Sequence, residues 1–322
     1  MTTANCTVVF YHYVRDVERT PFPGIKALST AAFAAQLDAL RSRFRIVDGP
    51  TFERAALGAE SLPASTALLT FDDGFVDHYE QAFTQMRRRG IGGIFFVSGA
   101  TLDPEPTLLN VHKTHFLLSA LGAEQFGIEV TRRLAAAGLE GQPGTVAREG
   151  VYRYDEAPDV RAKRLLNYEL PYAAADALLD ELFRAHLGDP VAFARRLYVS
   201  SAMIREMARG GMTFGYHTRT HRVLSRLSRD EQARELGDGV TLIRDLTGQA
   251  TVPFCYPYGF PHTYNQDTLD LLAEYGYSVA FNTVREAARL PVPSRYEVPR
   301  FDTRDVDRLV HAAASDPAGI HR

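Results

Sequence analysis

Short apolar runs with little polar alternation recur along this chain, and they constrain its fold more than any other feature. They are rich in β-branched and aromatic residues, and each is too short to be a typical helix. Such runs are typical of parallel strands that are buried on both faces. The predicted strands are Val8–Val14, Ala67–Phe71, Gly93–Val97, Met212–Tyr216, Val252–Tyr256, Ser278–Phe281 and Glu297–Phe301.

Helical patterns lie between several of these strands. Apolar residues between Phe33 and Phe44 recur at spacings of four, three and four residues, so they share one face of a helix. Similar patterns cover Asp77–Arg89, Asp230–Leu246 and Asp267–Tyr275. The alternation of strand and helix predicts an α/β fold with a parallel sheet, either open or closed into a barrel.

One long stretch, residues 104–198, interrupts this alternation. It contains no convincing strand and several helical patterns, of which Ala174–Leu187 is the clearest. We therefore predict an α/β core formed by residues 1–103 and 199–322, interrupted by a helical insertion over residues 104–198. The insertion would either cap a site or form a subunit interface, and homo-oligomer formation is left open.

Charge and composition exclude several function classes. The 322 residues include 36 Lys and Arg against 39 Asp and Glu, a net charge of −3 with no basic block, which argues against a nucleic-acid partner. The two cysteines, Cys6 and Cys255, provide no disulfide framework. The N-terminal stretch lacks the pattern of a signal peptide, and no apolar run is long enough to span a membrane. We therefore expect a cytoplasmic protein.

Polar residues cluster where three of the predicted strands end. The second strand leads into Asp72 and Asp73, within the sequence TFDDG. The fourth leads into His217 and the fifth into Tyr258. Because ligands bind at the carboxyl ends of the strands in parallel α/β folds, these residues predict a binding or catalytic site.

The residue types at this edge suit a metal ion. Two adjacent carboxylates at a buried strand end repel each other unless a cation takes one as a ligand and leaves the other as a base. In the sequence HTRTH, His217 and His221 would face the same way on a helical turn. With Asp73 they would form a site for Zn²⁺, although Co²⁺, Ni²⁺, Fe²⁺ and Mn²⁺ fit the same ligand types. The alternative is a solvated turn and an unrelated histidine pair.

Three motifs in this order resemble the polysaccharide deacetylase superfamily (NodB homology, carbohydrate esterase family 4). They are TFDDG at Thr70–Gly74, HTRTH at His217–His221 and FCYPYG at Phe254–Gly259. The resemblance covers roughly residues 1–103 and 199–310, and the third motif is similar to that of an FAYPYG-like subset. It implies a distorted, incomplete (β/α) barrel and a metal-dependent N- or O-deacetylase.

The resemblance also implies a role for individual residues. Asp72 matches the general base of the family. Asp73, His217 and His221 match its metal ligands. Tyr258 stands where the third motif supplies a backbone N–H to the oxyanion.

The sequence departs from the family pattern at two points. Cys255 occupies the position of an arginine that usually orients the base, and we predict that Arg300 replaces it, the alternative being an ion pair with Asp302. The usual C-terminal histidine acid has no convincing match, since His311 lies in a helical pattern. His12, in the first strand, resembles a histidine of the FAYPYG-like subset and is the predicted general acid.

These observations predict hydrolysis of an N-acyl group, above all N-acetyl, from an amino sugar or a sugar-nucleotide-like small molecule. His112 and Lys113 open the insertion and His262 follows the third motif, so all three are predicted substrate contacts. The cationic side chains among them would suit an anionic group such as a pyrophosphate. Three alternatives stay open: a deformylase or cyclic amide hydrolase, an O-deacetylase, and an inactive carbohydrate-binding relative.

Overall fold

One curled sheet organises the fold in the computed structural model, which describes residues 4–138 and 163–311. Residues 139–162 of the predicted insertion and 312–322 of the predicted core lie outside the described residues. The strands are β1 Ala4–Tyr11, β2 Arg45–Ile46, β3 Thr66–Phe71, β4 Ile94–Val97, β5 Thr213–Tyr216, β6 Phe254–Cys255, β7 Ala280–Phe281, β8 Ala288–Leu290 and β9 Phe301–Asp302.

The sheet has the order β7-β6-β5-β4-β3-β1-β8, with β2 paired to β3 and β9 paired to β1. All pairings are parallel except that between β1 and β8. The sheet curls into a half-barrel, which confirms the predicted α/β class with a distorted, incomplete (β/α) barrel.

A short segment before β9 partly closes this half-barrel. Val298 forms a parallel bridge with Phe281 of β7, while β9 pairs with β1 on the opposite side of the sheet. The segment 298–302 therefore joins two strands that are far apart in the sheet order, and it brings Arg300 between them.

The register of the central strands aligns the ends that carry the polar residues. Tyr11 at the end of β1 lies opposite Phe71 at the end of β3, and the backbone N–H of Asp72 donates to the Tyr11 carbonyl at 2.9 Å. Every residue of β3 is buried, as the apolar run predicted. The residues that follow these strands therefore emerge together at one edge.

Helices cover the sheet and form a second packed layer beyond its edge. They are α1 Thr30–Arg43, α2 Gly49–Ala56, α3 Thr84–Arg88, α4 Asn110–Ala136, α5 Tyr172–Leu187, α6 Pro190–Leu197, α7 Ser201–Arg209, α8 Arg229–Leu236, α9 Gly239–Thr247, α10 Gln266–Glu274 and α11 Val306–His311. A π-helical stretch over His78–Phe83 leads directly into α3. No helix of the described residues is both long and apolar enough to cross a membrane.

One helical prediction needs correction, and one long helix is kinked. The pattern over Asp230–Leu246 forms two helices, α8 and α9, because the chain breaks at Gly237 and Asp238. The long helix α4 is interrupted at Gly122, whose φ of 76° is outside the helical range.

Helices α4, α5 and α6 bury an apolar cluster of their own. Phe116 and Phe126 of α4 pack with Leu179 and Phe183 of α5, and Phe75 of the core joins the same cluster. The apolar packing of the predicted insertion is thus continuous with the loop that follows β3. The boundaries proposed for the insertion stay a prediction.

Close packing at Gly215 of β5 provides a test of this core. A Cβ atom there would overlap the Phe96 ring and would lie 2.7 Å from the Pro253 carbonyl oxygen. We expect Gly215→Ala to lower the free energy of unfolding by about 1–3 kcal/mol, because neither neighbour has room to move. At Gly127 of α4 a Cβ would meet nothing within 4 Å, so Gly127→Ala should stabilise by about 0.5–1 kcal/mol. Urea unfolding measures both, and an equal response of the two variants would contradict the packing described here.

Candidate metal centre and active site

Three loops meet at the carboxyl edge of the sheet, one from each motif. The first carries Asp72 and Asp73 after β3, the second carries His217 after β5, and the third carries Tyr258 after β6. Asp72, Asp73 and His217 are buried. The edge that the sequence predicted is therefore the place where the chemically competent side chains converge.

Left-handed backbone conformations of residues other than glycine mark these loops. In the part of the chain that the structure describes, the non-glycine residues with positive φ are Asp73 at 77°, Thr218 at 61°, His221 at 59° and Tyr258 at 63°. Each belongs to one of the three motifs. Such conformations are costly for residues with a Cβ and tend to persist at functional sites.

The two histidines of HTRTH converge through a loop, so the predicted helical turn is wrong. His217 continues the strand geometry, because its N–H donates to the Val97 carbonyl at 2.9 Å. The chain then turns through left-handed Thr218 and His221, and the His221 N–H donates to Thr218 Oγ1 at 2.9 Å. The imidazole rings end 4.8 Å apart.

Both imidazoles face one oxygen of Asp73. Nε2 of His217 lies 3.6 Å and Nε2 of His221 lies 3.4 Å from Asp73 Oδ1. The candidate ligand atoms of these three residues all lie within 4.8 Å of one another. Asp73 Oδ1 is buried and has no hydrogen-bond partner among the described residues.

The proton arrangement at this cluster fits a cation. His217 Nδ1 lies 2.7 Å from the Cys255 carbonyl oxygen; because a carbonyl only accepts, Nδ1 carries the proton and Nε2 presents a lone pair to Asp73. Burial lowers the pKa of His217 and lowers that of His221 to about 3, so both rings are neutral at neutral pH. Burial alone would raise the pKa of Asp73, but nearby histidines, His112 first, hold it well below its usual value. An anionic oxygen and neutral imidazoles suit a divalent ion.

A neighbouring cluster of Asp72, His217 and Cys255 is also compact, but a cation already occupies it. Arg300 Nη1 donates to Asp72 Oδ1 at 2.8 Å and Nη2 donates to Asp72 Oδ2 at 2.9 Å. Nη2 also lies 3.0 Å from Cys255 Sγ, and burial raises the pKa of that thiol well above its usual value. The guanidinium therefore excludes a metal ion from this side of the cluster.

Arg300 is fully buried and held from several directions. Its Nε donates to the Asn282 carbonyl at 2.9 Å and its Nη1 donates to Thr70 Oγ1 at 3.1 Å. Burial alone would raise the pKa of Asp72, but the Arg300 charge and hydrogen bonds lower it below its usual value. In the structure Arg300 therefore pairs with Asp72, whereas the Asp302 side chain accepts a hydrogen bond from the Arg304 backbone N–H.

The other residues predicted for catalysis or substrate binding lie around this cluster. His12 is partly exposed, and its Nε2 is 4.0 Å from Asp73 Oδ2. The Tyr258 ring lies 5.1 Å from the His221 ring. His262 is half-buried on the loop that follows Tyr258.

Of the two residues at the start of the insertion, the structure brings only His112 to the cluster. His112 is fully buried, and its Nε2 lies 3.3 Å from Asp73 Oδ2. Lys113 Nζ forms an ion pair with Asp180 at 2.6 Å, and its side chain is almost wholly covered. Lys113, the lysine predicted to contact an anionic group of the substrate, is therefore directed to α5.

Sequence reasoning missed Tyr198, which contacts His112. Tyr198 Oη lies 2.6 Å from His112 Nδ1. Tyr198 stands alone between α6 and α7, where no periodicity marks it. Its position is fixed by a bridge to Phe75, a pairing across more than a hundred residues that no local pattern predicts.

Comparison with solved structures shows the same fold. A deacetylase from Streptococcus pyogenes, PplD, solved in complex with acetate, is 16% identical, with a TM-score of 0.58 over 96% of this chain and 98% of that one. IcaB from Ammonifex degensii is 19% identical, with a TM-score of 0.58 over 95% and 96% of the two chains.

Comparison of sequences finds a similarity over part of the chain. The family model "Polysaccharide deacetylase" matches residues 181–280. YxkH of Bacillus subtilis (strain 168), whose name assigns it to the polysaccharide deacetylases, is 30% identical over 91 residues, which are 28% of this chain and 32% of that protein. Residues 181–280 are therefore similar to the polysaccharide deacetylase family, the family that the three motifs resemble. The matched part thus spans about a third of the length of this curated relative.

The segment matched by the family model contains the second and third motifs. His217–His221 and Phe254–Gly259 both lie inside residues 181–280, whereas Thr70–Gly74 lies outside them. The fold brings that first motif to the other two. The resemblance to an FAYPYG-like subset stays a prediction.

The buried pair of Arg300 and Asp72 predicts a large cost when it is broken. We expect Arg300→Met to lower the free energy of unfolding by about 3–5 kcal/mol, because the Asp72 carboxylate would stay buried without its partner. The matched control is Arg89→Met, which breaks a similar two-bond pair whose Asp38 side chain is 61% exposed. Its cost should be at most about 1 kcal/mol. Urea unfolding compares them, and similar losses would contradict the importance of burial at Asp72.

Proposed function

We propose that this chain is a metal-dependent N-deacetylase that acts on an amino sugar or a sugar-containing small molecule. One observation supports the proposal most strongly. A cluster of two neutral imidazoles and one carboxylate lies beside a second carboxylate whose two oxygens are both bound by arginine. Such an arrangement would supply a metal site and a base at one buried edge of the sheet.

The residues that would hold the ion are Asp73, His217 and His221. When bound, a divalent ion supplies Lewis-acid polarisation of a carbonyl and makes water acidic at neutral pH. Zn²⁺ is the ion that we expect. Co²⁺, Ni²⁺, Fe²⁺ and Mn²⁺ suit the same ligand types.

Asp72 is the proposed general base. The Arg300 guanidinium keeps its carboxylate ionised, and the two hydrogen bonds fix its orientation toward the cluster edge. An ionised carboxylate in a fixed orientation can accept a proton from an attacking water. Arg300 thus takes the place of the arginine that the third motif lacks at Cys255.

Two further groups complete the proposed reaction. The Tyr258 backbone N–H would donate to the oxyanion as the carbonyl carbon becomes tetrahedral. His12, partly exposed and near Asp73, would give a proton to the leaving amine. These roles rest on the resemblance and on the position of both residues at the edge of the cluster.

The proposed substrate is a small N-acetylated sugar or sugar nucleotide. The acyl group separates this proposal from a deformylase, which would release formate. Opening of a cyclic amide by water, in which the product keeps both the new carboxylate and the amine and no acid is released, would instead indicate a cyclic amide hydrolase.

Acid release from purified protein tests the proposed reaction. Reconstituted with Zn²⁺ and supplied with UDP-N-acetylglucosamine and with N-acetylglucosamine oligomers, the chain should release acetate. We expect Asp72→Asn to lower turnover by about 10²- to 10⁴-fold, because the amide cannot accept the proton. Asp38→Asn, at an exposed carboxylate, should retain wild-type turnover. An active Asp72→Asn enzyme would contradict the assigned base.

Metal content tests the proposed ligand set without reference to any substrate. By elemental mass spectrometry, the wild type should contain about one divalent ion per chain, and His217→Ala should lose it, because one of three protein ligands is removed. His311→Ala, at an exposed histidine at the end of α11, should retain it. No ion in the wild type after reconstitution would favour the inactive carbohydrate-binding relative.

A further inference from the structure

The proposed metal ligand Asp73 presents its two oxygens to different parts of the molecule. Oδ1 faces His217 and His221 at 3.6 and 3.4 Å, whereas Oδ2 faces His112 at 3.3 Å. The compact ligand set comprises Asp73, His217 and His221 and does not include His112. His112 therefore faces the other oxygen of the carboxylate and stands outside the ligand set.

The hydrogen bonds at Tyr198 indicate which nitrogen of His112 carries the proton. The Tyr198 oxygen accepts the backbone N–H of Leu109 at 3.1 Å, and its own O–H has His112 Nδ1 as an acceptor at 2.6 Å. Because Nδ1 accepts the Tyr198 proton, the ring proton is on Nε2. That N–H is buried, has no partner of good hydrogen-bond geometry among the described residues, and lies next to Asp73 Oδ2.

Tyr198 and His112 are each held in place by further contacts. Tyr198 bridges Phe75, two residues beyond Asp73, and the adjacent Val199 N–H donates to the Gly74 carbonyl at 2.9 Å. The His112 ring lies against the Phe75 ring at 4.7 Å. The pair is therefore fixed relative to the loop that carries the carboxylate.

The helices around His112 are also tied to the loop that carries the histidines. Asp176 of α5 accepts from Asn110 at 2.6 Å and from Arg222 at 2.8 Å. Arg222 directly follows His221, so α4, α5 and the HTRTH loop share one carboxylate.

We propose that His112 and Tyr198 form a positioning arm that orients Asp73 toward the metal ion. Tyr198 fixes the ring, and His112 Nε2–H donates to Oδ2, so that Oδ1 is directed to His217 and His221. The inference deepens the proposed function and rests on its metal site. Removing a residue that hydrogen-bonds to a metal ligand typically lowers the metal affinity about 10- to 100-fold.

Cobalt binding tests the arm directly. The Kd for Co²⁺ would be measured by absorption titration against a competing chelator for the wild type, His112→Phe, Tyr198→Phe and the double variant. We expect His112→Phe to raise Kd about 10- to 100-fold, and Tyr198→Phe to raise it about fivefold, the equivalent of one hydrogen bond. Because Tyr198 acts through His112, the double variant should match His112→Phe alone.

The control is His115→Phe, which places the same substitution one turn along α4. His115 contacts Tyr13 at 3.3 Å, so its loss should leave the Co²⁺ affinity unchanged. Folding of each variant is checked by far-UV circular dichroism, and if His112→Phe does not fold, Tyr198→Phe decides the question.

Three results would contradict the proposed role of His112 and Tyr198 in orienting Asp73. They are an unchanged Kd in Tyr198→Phe, an unchanged Kd in folded His112→Phe, or a raised KM for substrate with no change in metal affinity. The last result would place His112 on the substrate. A wild-type chain that binds no Co²⁺ would overturn the proposed metal site itself, which distinguishes the two failures.

Discussion

The buried contact between Arg300 and Asp72 is the interaction on which the rest of the structure depends. The guanidinium binds groups that follow or belong to β3, β6 and β7, and it is carried by the segment that joins β7 to β1. A single charged side chain therefore links strands on both sides of the curled sheet. Since its charge is compensated by a carboxylate with matched geometry, burial is tolerated and the orientation of that carboxylate is fixed.

This arrangement separates two carboxylates that are adjacent in sequence. Asp72 is held by an arginine and Asp73 faces histidines, because the left-handed backbone of Asp73 turns its side chain away from that of its neighbour. In an extended strand, successive side chains would simply point to opposite faces. Here the turn gives two like groups different surroundings at nearly the same place, and hence different chemistry.

The sequence predicts the parts of the fold that depend on local pattern. Each predicted strand corresponds to a strand or, for the segment before β9, to a strand and a bridge, because a buried parallel strand is visible as an apolar run. Strands β2 and β8 were missed because Arg45–Ile46 and Ala288–Leu290 are short and contain arginine at positions where apolar side chains give the signal. The helical turn proposed for HTRTH failed for a different reason. Residue spacing cannot reveal the two left-handed residues that bring the rings together.

The site could be predicted where motifs carry it and not where distant segments meet. Asp73, His217 and His221 converge as the strand ends indicated. For Arg300 the sequence leaves two alternatives open, a pair with Asp72 or one with Asp302, since no pattern specifies a contact across 228 residues. Tyr198 gave no signal at all, because its role arises from a bridge between the first motif and the end of the predicted insertion.

The hydrogen bond from His217 to residue 255 has a consequence for how this site can change during evolution. The acceptor is a main-chain carbonyl, so the tautomer of the histidine is encoded in the path of the backbone and not in the identity of a side chain. Any residue that leaves this path intact preserves the acceptor. The side chain at this position therefore does not set the tautomer, and its small thiol can lie against the buried Arg300 guanidinium without disturbing the neighbouring imidazole.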